Sequence, residues 1–298
     1  MRITENSQYR DTLAHLEQTA AALAKYQSQI SSGKRLSAPS DDPEAAAQST
    51  GAYAELSTLN RYAGGQQAAT ARLSVIDSAL SDIVNQLISA KTAAQSAQGS
   101  PISAAQRDAA VATLQSVKQA LASDLNTTYQ GTFLFSGTKT TTAPFTVTGA
   151  TVSAYQGNNT VMSIDVGSQT SVATTIDGQA ITQGSASTDL FADLDTLITA
   201  VQNGDTPGIT AGIAAVSGAF DRAVQAQTAV GTSLSRLSGQ SDRLTAMTTN
   251  VQSQISSLED TDLAAAITGM QQAETAQQAT ISALATTRQL RTLMDYIA

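Results

Sequence analysis

The chain has 298 residues, of which 41% are hydrophobic but only 4% aromatic and 13% charged, with no Trp. So little side-chain bulk excludes a thick globular core and leaves thin cores, where helices meet along seams of Leu, Ile, Val and Ala. A formal net charge of −8 with scattered Lys and Arg argues against nucleic acid as a partner, and the lack of Cys excludes disulfides, thiolate metal sites and a Cys nucleophile.

In chain order, Met1 to Asn6 lacks the charged-then-apolar run of a cleaved secretory signal, and no stretch reaches the roughly 18 apolar residues of a membrane span. The first predicted helix carries Leu13, Leu16, Ala20, Leu23 and Ile30 on one stripe, interrupted by Gln27. Asp42 then caps a second helix with Pro43 as its first residue, and Glu44 suits the positive helix end. A cleaner seam follows: Leu73, Ile76, Leu80, Ile83, Leu87, Ala90 and Ala94. Gly99-Ser100-Pro101 breaks it, and Val111, Leu114, Val117, Leu121 and Leu125 form the next.

Between Thr132 and Thr188 the helical spacing vanishes. Phe133 and Phe135, Phe145 and Val147, Met162 to Val166, and Val172 to Ile176 step by two, with turns at Gly157-Asn158-Asn159, Gly167-Ser168 and Asp177-Gly178. Thr206 and Pro207 then open a long helix. Its apolar residues run from Ile209 through Ile213, Val216, Phe220, Ala223, Val230, Leu234, Leu237, Leu244, Val251 and Ile255 to Leu258 in steps of three and four or seven. At 1.5 Å per residue such a helix is roughly 75 Å long. A last, looser seam holds Ile267, Met270, Ile281, Leu284, Leu290, Leu293 and Ile297.

The fold expected is mainly α with a β-rich insert: a rod of long coiled-coil helices formed by both chain ends, plus a small central β domain. The seams at either end carry little apolar area. Burying each Leu or Ile contributes roughly 1.5–3 kcal/mol, against roughly 1–2 kcal/mol per residue of backbone ordering. Alone, the end segments are therefore expected to stay largely unfolded, and to fold on assembly with many copies.

Candidate chemistry is thin. His15 is the one histidine and builds neither a metal site nor a catalytic triad alone. Ser31-Ser32-Gly33-Lys34 matches a loose Ser-x-x-Lys pattern without its companion motifs, and a phosphate loop would need Gly where Ser28 stands. Asp41-Asp42-Glu44 and Glu259-Asp260-Asp262 lack the convergent oxygens and Gly-turned loop of a cation site and read as helix caps. Catalytic, metal-binding and cofactor-binding residues are all expected to be absent, and no cofactor or enzymatic activity is expected.

The run Ile30-Ser31-Ser32-Gly33-Lys34-Arg35-Leu36-Ser37-Ala38-Pro39-Ser40-Asp41-Asp42-Pro43-Glu44-Ala45-Ala46 resembles the N-terminal signature of the bacterial flagellin superfamily. Leu258-Glu259-Asp260-Thr261-Asp262-Leu263-Ala264, with Gln277-Gln278-Ala279 beyond, resembles its C-terminal one. Gly131-Thr132-Phe133-Leu134-Phe135-Ser136-Gly137, then Pro144-Phe145 and Tyr155-Gln156-Gly157, are similar to the hook–filament junction branch of that superfamily. The resemblance marks Ser32, Gly33, Asp41, Asp42, Phe133, Phe135, Gly137, Pro144, Phe145, Glu259 and Asp260 as motif residues. It implies an extracellular structural subunit of the flagellum, exported through the flagellar type III channel on an uncleaved signal.

Implied partners are hook-associated protein 1, flagellin, an export chaperone and further copies in a ring, with neither nucleic acid nor membrane. On this reading residues 1–42 form an N-terminal assembly helix and turn, and 43–130 the N-terminal half of the rod. Residues 131–190 form the outer β domain, 191–259 the C-terminal half of the rod, and 260–298 the C-terminal assembly helix. The alternatives are a minor flagellin that builds the filament itself and, from another class, a coiled-coil surface adhesin.

Overall fold

A computed structural model describes the backbone of residues 5–99 and 102–297 and the side-chain surroundings of 9–99 and 102–286. The order is α1 (Glu5–Ser32), α2 (Pro43–Ser96), α3 (Ala104–Leu125), β1 (Thr128–Tyr129), β2 (Thr132–Phe133), β3 (Val147–Thr148) and β4 (Thr151–Val152), then β5 (Ser163–Gly167), β6 (Thr170–Ala173), α4 (Gly178–Thr182), α5 (Leu190–Asn203), α6 (Thr206–Glu259) and α7 (Leu263–Ile297). The architecture is thus mainly helical, with long helices from both ends of the chain and a small strand-containing centre.

Local chemistry sets the helix ends. The Asp42 carboxylate accepts from the Ala45 amide at 3.1 Å and opens α2 at Pro43, as the sequence predicts. Ser103 and Gln106 form a reciprocal capping box on α3. Asp189 caps α5, which closes on Gly204 at φ 66°, a left-handed conformation that glycine adopts without penalty. The Asp205 carbonyl accepts from the Ile209 amide at 2.8 Å, so α6 is capped one residue ahead of Thr206.

The chain divides into two compact units, Leu59–Ala246 and Met1–Thr58 with Met247–Ala298, each considered by itself. In the first, the seam Leu73, Ile76, Leu80, Ile83, Leu87, Ala90 and Ala94 is at most 2% exposed throughout. It joins Leu114, Leu121 and Leu125 of α3, Leu194, Leu197 and Val201 of α5, and Val216, Val230 and Leu237 of α6 in one core. α3 packs on α5. There Lys118, only 4% exposed, donates to Asp195 at 2.6 Å and to the Ala150 carbonyl at 2.8 Å, pinning the β3–β4 turn onto the helices. The α5 helix itself went unpredicted, although an Asp cap, the run Leu190-Phe191-x-x-Leu194-x-x-Leu197-Ile198 and a closing glycine all stand in the sequence.

The centre has strands where alternation places them, but as three antiparallel two-stranded hairpins. Phe135 and Phe145 lie just outside strands, with side chains bonded to their backbone groups, and Thr174 follows β6 with its amide on the Met162 carbonyl at 2.7 Å. Asn126 donates to the Phe145 carbonyl at 2.7 Å and accepts from its amide at 3.1 Å, and Tyr155 donates to the Phe135 carbonyl at 2.9 Å. The Asp177-Gly178 step is the start of α4, not a strand-joining turn, with the Asp177 carboxylate accepting from the Gln179 amide at 2.8 Å.

Candidate assembly interface at the paired chain ends

The unit built from both ends of the chain holds most of the predicted motif. α1 stops at Ser32 because Gly33, at φ 70°, turns the backbone into a region few other residues enter. Lys34 then pairs with Asp260 in an isolated antiparallel bridge, where the Arg35 amide donates to the Glu259 carbonyl at 2.6 Å and the Thr261 amide to the Gly33 carbonyl at 3.0 Å. Ser32 supports the turn by accepting from the Lys34 amide at 3.1 Å.

Beneath this bridge the Glu259 carboxylate, 9% exposed, is the hub. It accepts from Lys34 Nζ at 2.6 Å, from Tyr53 Oη at 3.0 Å and from Ser49 Oγ. The hydrogen bond from Lys34, followed by that from Ser49, holds its pKa below the ordinary carboxylate value, and the same bond raises that of Lys34. Ser49 and Tyr53 stand four apart on α2 and so present one face to the acid. One buried charge, fully hydrogen-bonded, ties the end of α1, the start of α2 and the end of α6.

The neighbouring acidic residues close turns or cap helices. Asp41 accepts from the Ser37 and Ala38 amides at 3.0 Å each, which lowers its pKa, and lies 3.6 Å from Lys25. Arg35 reaches Asp42 at 3.2 Å and the Leu258 carbonyl at 2.9 Å, so it joins the α2 cap to the last turn of α6. The Asp262 carboxylate accepts from the Ala264 and Ala265 amides and starts α7. Asp260 accepts from Ser256 and faces solvent. Among the described residues no group of three or more His, Asp or Glu is placed to hold a metal ion.

α1 packs along α7. At Gly269 a Cβ would come within 2.6 Å of the Tyr26 ring, so the missing side chain lets the helices approach. Of the predicted seam, Leu16, Leu23, Ile30, Met270 and Leu284 are half-buried, whereas Leu13, Ile267 and Ile281 are exposed, the last at 52%. Leu290 and Leu293 lie outside the described side chains. Only Gln29 on α1 and Ala266 and Ala273 on α7 are buried among the described residues of these helices. Tyr9 and Leu263, at 46% and 50% exposure, extend the apolar surface and were not singled out in the sequence. His15 is exposed, and Lys34 is engaged by Glu259.

The remaining motif residues lie in the other unit. Phe133 is half-buried in β2, while Phe135, Pro144 and Phe145 are buried, and the Phe145 ring meets that of Phe191 edge-on at 5.0 Å. Gly137, at φ 68°, sits where a Cβ would strike the Asn158 carbonyl. These residues build the centre.

The chain matches the bacterial flagellin N-terminal helical region over residues 3–140 and the bacterial flagellin C-terminal helical region over residues 213–297, spans that contain both halves of the joint. It is 30% identical over 212 residues to flagellar hook-associated protein 3 of Escherichia coli (strain K12), covering 68% of this chain and 67% of that protein. Its fold is similar to the crystal structure of FlgL from Xanthomonas campestris, with a TM-score of 0.62 and 16% identity over 68% of this chain and 99% of that one. The flagellar junction protein FlgL from Legionella pneumophila gives 0.60 and 14%, over 72% and 100% respectively.

Proposed function

We propose that this chain, which belongs to the bacterial flagellin family, is a structural subunit of the hook–filament junction, and that its paired ends are the surfaces by which it assembles. The observation that carries this reading is the exposure of an apolar seam on helices that bury almost nothing of their own. Leu13, Ile267 and Ile281 are 37%, 44% and 52% exposed, on helices whose partnership with each other is already made. A face left apolar after folding is a face for further subunits.

In this proposal residues 1–42 and 260–298 form the assembly layer, 43–130 and 191–259 the two helical halves that continue from it, and 131–190 the β-rich domain. Hook-associated protein 1 on one side, flagellin on the other and further copies in a ring are the partners. An export chaperone covers the exposed seam before passage through the flagellar type III channel to the cell exterior. The role is architectural and non-enzymatic, since Lys34, Ser49 and Glu259 are spent on one another.

Deletion of the encoding gene tests the proposal. Electron microscopy should find hooks without filaments, with flagellin released into the medium. Normal filaments would overturn it, and purified chain that extends filaments indefinitely would point to a minor flagellin instead.

A further inference from the structure

Gly64 and Gly65 of α2 stand level with Gly239 of α6, because the buried Gln66 side chain donates to the Leu237 carbonyl. At this level a polar residue, the buried Gln66, holds the seam position of α2 between Leu59 and Ala69. Gly64 and Gly239 have no packing reason to be glycine, since a Cβ on either would meet nothing within 4 Å. Glycine inside a helix makes its turn roughly fivefold easier to open than alanine would. Sharp bends in long helices fall at adjacent small residues such as the Gly64-Gly65 pair.

A third element spans the same level. A Cβ on Gly65 would come within 2.9 Å of the Asp165 carbonyl, so β5 is seated on the bare α2 backbone. On the other side Gln240 Nε2 reaches the Val166 carbonyl at 3.5 Å and lies where a Cβ on Gly167 would be 2.9 Å away. We infer that the Gly64–Gly239 level is a built-in bending point of α2 and α6, and that the β5–β6 hairpin braces it. The inference is independent of what the chain ends bind.

Hydrogen exchange on the full-length monomer tests it. Amides of residues 62–68 and 237–243 should exchange about tenfold faster than those of 76–87 and 216–230. Gly64→Ala with Gly239→Ala, both placed in open space, should slow exchange at that level by about fivefold and leave 76–87 unchanged. Gly231→Ala, whose Cβ would also be unobstructed, should act only on its own turn of α6. Gly65→Ala should do the opposite of the paired change, speeding exchange in 163–173 and at the glycine level together. Equal protection along both helices would overturn the bending point. Slower exchange in Gly65→Ala, or loss of protection reaching 76–87, would overturn the hairpin's bracing role.

Discussion

Leu80 and Ile281 hold equivalent places in apolar seams of long helices, yet Leu80 is fully buried and Ile281 is 52% exposed. The difference lies in what each helix has to pack against. Around Leu80, helices α2, α3, α5 and α6 and the hairpin-rich centre close over a common core. Around Ile281, α7 packs along α1 and leaves the side chain half exposed. Two narrow helices cover only part of each other's stripe, and a second neighbour on each flank is needed before the seam is dry. One unit therefore derives its order from apolar burial, and the other from a polar joint that leaves apolar surface over.

The sharpest way to break this comparison is to cut into the core. Leu80→Ala and Leu121→Ala, each removing a fully buried side chain, should destabilise the Leu59–Ala246 unit by about 2–5 kcal/mol. Urea unfolding followed by circular dichroism measures this. A loss below about 1 kcal/mol would mean the core yields more readily than its burial implies.

Seams of this kind were legible because period is a local property. The steps from Leu73 to Ala94 and from Ile209 to Leu258 survive as α2 and α6 with those faces inward. The Asp42-Pro43 cap was equally plain, for capping needs only neighbours. The Glu259 hub was not, because Lys34 lies 225 residues from its acid and neither Ser49 nor Tyr53 carries a local signature. Glu259 could be marked as part of a recurring motif but not given its physical task. Nor could spacing alone tell Leu23, half-buried, from Ile281, exposed, since the same period serves a filled seam and an open one.

A smaller effect is expected at the polar joint. Glu259→Gln removes the charge that Lys34, Ser49 and Tyr53 converge on. Lys34 is half exposed, so the loss should be about 1 kcal/mol, confined to the joint. Faster protease cleavage within residues 33–42, with the Leu59–Ala246 unit untouched, would confirm it. The pH response follows from the signs. The pKa of Glu259 is lowered from 4.5, so its contribution is complete above 4.5 and is lost as pH falls through the lower folded value. That of Lys34 is raised from 10.5, so its contribution is complete below 10.5 and is lost as pH rises through the higher folded value. The amide resonances of Arg35 and Thr261 should hold steady between those limits and shift beyond them. Movement near neutrality would mean another group controls the joint.

The least effect in solution should come where the comparison has most to say about assembly. Ile267→Gln and Ile281→Gln keep good helix formers at exposed positions of α7, so monomer stability should change by no more than about 0.5 kcal/mol. If those side chains are buried against neighbouring subunits, each loses roughly 1.5–3 kcal/mol of apolar transfer per copy, repeated at every contact in a ring. A strain carrying only the double variant should then export the protein but lack filaments, while the purified monomer unfolds as before. Unchanged swimming would show that the open seam is incidental surface. A large loss of monomer stability would show that α7 is already packed in isolation, and either result would erase the contrast between Leu80 and Ile281.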